Sequence, residues 1–215
     1  MKIAANSKLL MIGDSITDCG RARPIGEGSD VALGHGYVRL VNNLLKAAHP
    51  AHPIHITNMG IGGNTARDLR DRWQTDVLAL QPDWLSIMIG INDVWRQIDH
   101  PLHTAEYVVL EEYVHILTDL IAATRPYLIG LILMTPYIIE PNRDDPMRAM
   151  MDTYGQAVKE LAVRYEAVFI DTQAAFDEVL ASVGPSSLAE DRVHPNQAGH
   201  MILARVFLKN IGFVW

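Results

Sequence analysis

The chain has 215 residues, of which 49% are hydrophobic, enough for a sizeable core and most simply for one domain spanning 1–215. Its 25 acidic and 18 basic residues leave a formal charge of −7, which argues against nucleic acid or an anionic membrane as partner, because both need a basic face. Cys19 is the only cysteine, so an internal disulfide is excluded.

Short apolar runs alternate with longer amphipathic ones. Leu9 to Ile12 is predicted as a strand stopped by Gly13, and Tyr37 to Ala48 as a helix, with Val38, Val41, Leu44 and Leu45 at helical spacing. Ile54 to Met59 is a second strand, ended by Gly60-Ile61-Gly62-Gly63-Asn64. A helix over Thr65 to Leu80 and a third strand over Trp84 to Ile89 follow. Tyr107 to Thr124 is a helix, Leu128 to Met134 a strand, Pro146 to Tyr165 a helix and Ala167 to Ile170 a short strand. The last helix runs from about Asn196 to Lys209. Strands alternating with helices imply an α/β fold with a five-stranded parallel sheet covered on both faces. In such folds the active site lies beyond the carboxyl ends of the strands.

Four connections at those ends carry chemistry. Gly13-Asp14-Ser15-Ile16 lifts a serine above the first strand, although Ser15 alone reads more readily as a cap. The glycine block from Gly60 to Asn64 lets backbone N–H groups approach a ligand, either an oxyanion or a phosphate, or is an ordinary tight turn. Gly90-Ile91-Asn92-Asp93 offers the Asn92 amide as an oxyanion donor, or an Asx-turn. Asp191-Arg192-Val193-His194-Pro195 places a carboxylate three residues before a histidine, so that Asp191 can hold Nδ1 and free Nε2 to act on Ser15 as a base. His49, His52 and His55 are interleaved with prolines and do not share one helical face, so no metal site is expected there. Trp95, three residues after Asn92, is either a stacking platform at the rim or simple packing, whereas Trp84 reads as core.

Taken together these blocks resemble the GDSL, or SGNH, hydrolase family across the whole chain. The resemblance implies a flavodoxin-like three-layer α/β/α sandwich, with Ser15 as nucleophile, His194 as base, Asp191 as its partner, and Gly63 and Asn92 joining the Ser15 N–H as oxyanion donors. Ile16 stands where the family name has leucine, an apolar exchange. Asp14 and Trp95 are candidate substrate contacts. The stretches Ile12 to Pro24, Ser86 to Gln97, Met134 to Pro136 and Asp191 to Arg205 resemble the bacterial acetylxylan esterases of this family, which implies a small acetylated carbohydrate as substrate and no cofactor. The other readings are a broad short-chain carboxylesterase on non-sugar esters and a non-catalytic sugar-binding protein of the same fold. A nucleotide enzyme is disfavoured because neither phosphate-loop pattern occurs.

Met1 to Lys8 lacks the apolar run of a signal peptide, and no stretch approaches the roughly 18 apolar residues of a membrane span, so a cytoplasmic location and no membrane partner are expected. The apolar tail Ile211-Gly212-Phe213-Val214-Trp215 must dock on its own domain or on a neighbouring subunit, and a homo-oligomer is expected.

Overall fold

The computed structural model describes residues 1–99, 102 and 104–214. Five parallel strands form one sheet: β1 (Lys8–Gly13), β2 (His55–Asn58), β3 (Trp84–Met88), β4 (Gly130–Met134) and β5 (Val168–Ile170), in spatial order β2-β1-β3-β4-β5. Every residue of β3 and β4 is buried, and only Lys8 of β1 is exposed. A strand covered on both faces has no polar side to alternate with, which is why these segments read as unbroken apolar runs.

The helices form two layers. α2 (Tyr37–Ala48), α7 (Thr172–Leu180) and α8 (Gln197–Asn210) pack against one another, and α3 (Ala66–Trp73), α5 (Leu110–Thr124) and α6 (Pro146–Arg164) form a second packed group. Two further helices lie at the strand ends, α1 (Ser15–Asp18) and α4 (Ile91–Asp99). The order of the sheet reverses between β1 and β3. The crevice above that reversal is where ligands bind in open α/β sheets, and the segments after β1 and β3 carry Ser15 and Asn92.

Local differences from the expected elements have identifiable causes. The helix after the glycine block is not continuous to Leu80: α3 ends at Trp73 and a π turn covers Gln74–Leu78, with Ala79 N donating to Gln74 O at 2.9 Å. The helix expected from Tyr107 begins at Leu110. Tyr107 O accepts from Arg67 Nη2 at 2.8 Å and Val108 O accepts from the Tyr154 hydroxyl at 2.7 Å, so tertiary donors take these carbonyls. α4 and α7 were not foreseen. α7 is capped by Asp171, whose side chain accepts from Ala174 N at 2.9 Å.

The tail docks on its own domain. Ile211 and Phe213 are buried, the Phe213 ring meets His49 edge-on at 5.0 Å, and Lys2 N donates to Ile211 O at 2.7 Å. Val214 is exposed, and Trp215 lies outside the described residues. Tail docking therefore supplies no argument for a neighbouring subunit.

Candidate active site

Ser15 is the first residue of α1, a single turn that leaves the carboxyl end of β1. Its Oγ lies 2.9 Å from His194 Nε2. His194 Nδ1 lies 2.6 Å from Asp191 Oδ2. An ionised carboxylate only accepts, so Nδ1 carries the proton and Nε2 presents its lone pair to the serine hydroxyl. Asp191 Oδ1 also accepts from Val193 N at 3.0 Å and His194 N at 2.8 Å, which closes the loop around the carboxylate. Partial burial pushes the Asp191 carboxyl up, but these three bonds outweigh it and hold the group below its ordinary range.

The loop needs an unusual backbone. Arg192, between Asp191 and His194, has φ +65°, a left-handed conformation costly for a residue with a Cβ. Its guanidinium is anchored to Glu140 at 2.6 Å and Asp145 at 3.1 Å, and its carbonyl accepts from Ile139 N at 2.8 Å. Asp145 also caps α6 by accepting from Met147 N and Arg148 N. Arg148, buried on α6, donates to Glu140 O and pairs with both oxygens of Asp177 on α7. This mooring was not legible in the sequence, because its partners lie on four separate segments.

The glycine block sits beside the serine: a Cβ placed on Gly62 would lie 3.8 Å from Ser15 Cβ. At Gly60 a Cβ would strike the Asp18 backbone, so only glycine allows that close approach. Gly63 has φ +79°. Arg72 binds the strand ends together, donating to Gly13 O, Met59 O and Asn64 Oδ1. Among the described residues, the N–H groups of Ser15 and Gly63 have no acceptor. Two unpaired backbone donors next to a serine hydroxyl fit a developing oxyanion. Asn92 reaches the end of the same glycine block, with one amide hydrogen donated to Asn64 O at 2.9 Å and the second left over.

Trp95 stands over the site, its ring centroid 6.1 Å from that of His194, with its indole N–H on Asp99. It is partly buried and packs against the core, so it serves packing and rim together. Asp14 requires a correction. Its side chain is 1% exposed and accepts from Ile16 N at 3.0 Å, capping α1 under the serine, so it does not reach a substrate. His52 Nε2 donates to Ile3 O at 2.8 Å and His49 Nε2 donates to Val214 O at 3.1 Å, which makes this segment a tether for the chain termini. Among the described residues no group of three or more His, Cys, Asp or Glu side chains is placed to hold a metal ion.

Two buried acids underlie the crevice. Burial pushes Asp14 up to about 7, opposed by its bond from Ile16 N, and pushes Asp93 up to about 7, opposed by its bond from Ala66 N. A carboxyl raised in the folded state contributes stability that is full below its unfolded value near 3.8 and is lost as pH rises through about 7. Asp93→Asn removes that loss, so between pH 5 and pH 8 its Tm falls less than that of the wild type, a gain of up to a few kcal/mol at pH 8. Parallel Tm curves in calorimetry would show that Asp93 titrates as an ordinary carboxyl.

Residues 11–202 match the family model of the GDSL-like lipase/acylhydrolase family. The chain belongs to this family. Within it, an acetylxylan esterase of Geobacillus stearothermophilus is 59% identical over 215 residues, covering 100% of this chain and 98% of that protein. The crystal structure of that acetylxylan esterase superposes with a TM-score of 0.99 over 100% of this chain and 98% of the other. Structures of its catalytic mutants altered at a serine, an aspartate and a histidine superpose equally, at 58% identity and a TM-score of 0.99, again over 100% and 98% of the two chains. An alpha/beta hydrolase enzyme from the metagenome of Lake Arreo, Spain, is 51% identical with a TM-score of 0.97 over 99% of this chain and 98% of the other. The five-stranded parallel sheet with helices on both sides is therefore the GDSL hydrolase fold.

Proposed function

We propose that this GDSL hydrolase is a serine esterase that removes acetyl groups from acetylated xylo-oligosaccharides or related sugars. The observation that carries the reading is the continuous Ser15–His194–Asp191 hydrogen-bond chain beside the unpaired N–H groups of Ser15 and Gly63. The 59% identity to an acetylxylan esterase along the whole chain supports the substrate class.

His194 Nε2 takes the Ser15 proton as Oγ attacks the acetyl carbonyl. The oxyanion is held by Ser15 N–H, Gly63 N–H and the free Asn92 amide hydrogen. The imidazolium, stabilised by Asp191, gives its proton to the departing sugar hydroxyl. Water then attacks the acetyl-serine, losing its proton to His194, and as the bond from Oγ to the acyl carbon breaks His194 returns that proton to Ser15 and acetate leaves. Trp95 offers an apolar face for the sugar ring.

The test compares release of acetate from acetylated xylo-oligosaccharides with hydrolysis of p-nitrophenyl acyl esters. A higher kcat/KM on the oligosaccharide supports the sugar assignment. A preference for longer acyl chains without sugar would make the protein a general carboxylesterase. A serine-directed fluorophosphonate should abolish turnover in either case. Asn92→Ala should lower kcat by roughly 10²- to 10³-fold with little change in KM; a pure KM effect would make Asn92 a substrate contact instead.

The setting we propose is one domain, located in the cytoplasm, acting in xylan degradation and assembled as a homo-oligomer. Among the described residues no helix is long and apolar enough to cross a membrane. Light scattering coupled to size exclusion tests the assembly: a mass near the 23.9 kDa of one chain at micromolar concentration would reject it.

A further inference from the structure

The turn that carries Gly63 contains two adjacent glycines, and a peptide between two glycines meets few steric barriers to rotation. The Gly63 N–H belongs to that peptide. Its direction therefore depends on what fixes the backbone on either side. Upstream, Asp18 Oδ2 accepts from Gly62 N at 3.0 Å. Downstream, Arg96 Nη2 donates to Gly63 O at 2.6 Å. Arg96 lies four residues after Asn92 on α4, so the two side chains share one helix face. From that face Asn92 donates to Asn64 O at 2.9 Å, and the neighbouring Asp93 accepts from Ala66 N at 2.9 Å. One helix thus grips the glycine turn at two points and the start of α3 at a third.

We propose that Arg96 is a positioning residue for the oxyanion hole: its guanidinium holds the Gly63 carbonyl and so aims the Gly63 N–H at the acyl group on Ser15. The inference rests on the reading of Gly63 as an oxyanion donor. Arg96 is only partly buried, and the partner it grips is a turn rather than a core element, so its loss acts on the turn before it acts on the fold. A cation on a carbonyl makes a stronger bond than a neutral donor, which is what a turn without side chains of its own requires. Lysine keeps the charge but not the planar fork, so it restores the hold in part.

Arg96→Gln and Arg96→Lys are compared with the wild type on an acetyl ester, with an alkyl trifluoromethyl ketone as probe of the tetrahedral oxyanion. Arg96→Gln should lower kcat by roughly 10- to 100-fold, less than deletion of a whole donor, with KM within about twofold. The inhibition constant of the ketone should rise by a similar factor. Arg96→Lys should fall between Arg96→Gln and the wild type. Unchanged kcat and inhibition constant would overturn the proposal, and so would a rise in KM at constant kcat, which belongs to a substrate contact. Melting curves guard against a folding defect, and if Arg96→Gln does not fold, Arg96→Lys reads the same quantities. A wild type that neither turns over acetyl esters nor binds the ketone overturns the esterase reading and the inference with it. Wild-type turnover with unperturbed variants removes Arg96 alone.

Discussion

Ser15→Ala and His194→Ala should each reduce kcat by on the order of 10³- to 10⁶-fold while leaving the melting temperature close to that of the wild type. Both side chains point into the crevice, and neither is part of the buried core. Ser15 Oγ has His194 Nε2 as its partner at 2.9 Å, so removing the hydroxyl deletes the attacking atom and removing the imidazole deletes the base. The two losses should not add. A serine without its base and a base without its serine fail at the same step, so the double variant should resemble either single one. Kinetics on p-nitrophenyl acetate with melting curves on the same preparations check this. Near-wild-type turnover in either single variant would end the assignment of the nucleophile and base.

Asp191→Asn should be more damaging than Asp191→Ala, by roughly tenfold or more in kcat, and should itself cost about 10³- to 10⁴-fold. The reason lies in how the carboxylate is held. Its Oδ1 accepts from Val193 N and His194 N, and its Oδ2 accepts from His194 Nδ1. An asparagine in this loop keeps its carbonyl oxygen on the two backbone N–H groups, which turns its NH₂ toward Nδ1. The imidazole must then accept at Nδ1 and carry its proton on Nε2, the tautomer that cannot take a proton from Ser15. Alanine imposes no tautomer, so a fraction of the histidine stays competent. An Asp191→Asn enzyme as active as Asp191→Ala would mean that Asp191 holds the loop and does not select the tautomer.

How much of this was legible in the sequence differs from element to element. The helix at Tyr37–Ala48 was read to the residue, because its apolar positions keep one phase and a helix breaks at the following His-Pro segment. The five strands were found within one or two residues; β1, β3 and β4 are buried nearly throughout and leave strongly apolar runs, whereas β2 and β5 at the two edges are shorter and partly exposed. Ser15, Asn92, Asp191 and His194 stood out as candidates because they fall together at strand ends and a tight loop of one inferred sheet, although Ser15 and Asn92 taken singly also read as a cap and an Asx-turn. What stayed hidden depends on distant partners. Asp14 looked like a residue of the site because it adjoins Ser15, but its side chain turns inward to cap α1. Arg72, Arg96, Arg148 and Arg192 carry no sign of their partners in the linear chain. Beside the local pairs Arg72–Asp76 and Arg148–Asp152, in the fold they bond backbone carbonyls or carboxylates 8 to 59 positions away, which no local pattern encodes.

The two halves of the Ser15–His194 pair rest on supports of unequal strength. β1 is an interior strand, paired on both sides by β2 and β3. The Asp191–His194 loop is moored through Arg192 to Glu140 and Asp145, beyond β4 and near β5, a three-residue strand at the rim of the sheet. Rims open at lower free energy than centres. Warming should therefore release the histidine from the serine while the middle of the sheet is intact. Activity would vanish a few degrees below the calorimetric transition and return on cooling, a thermal cutoff that leaves the protein undamaged.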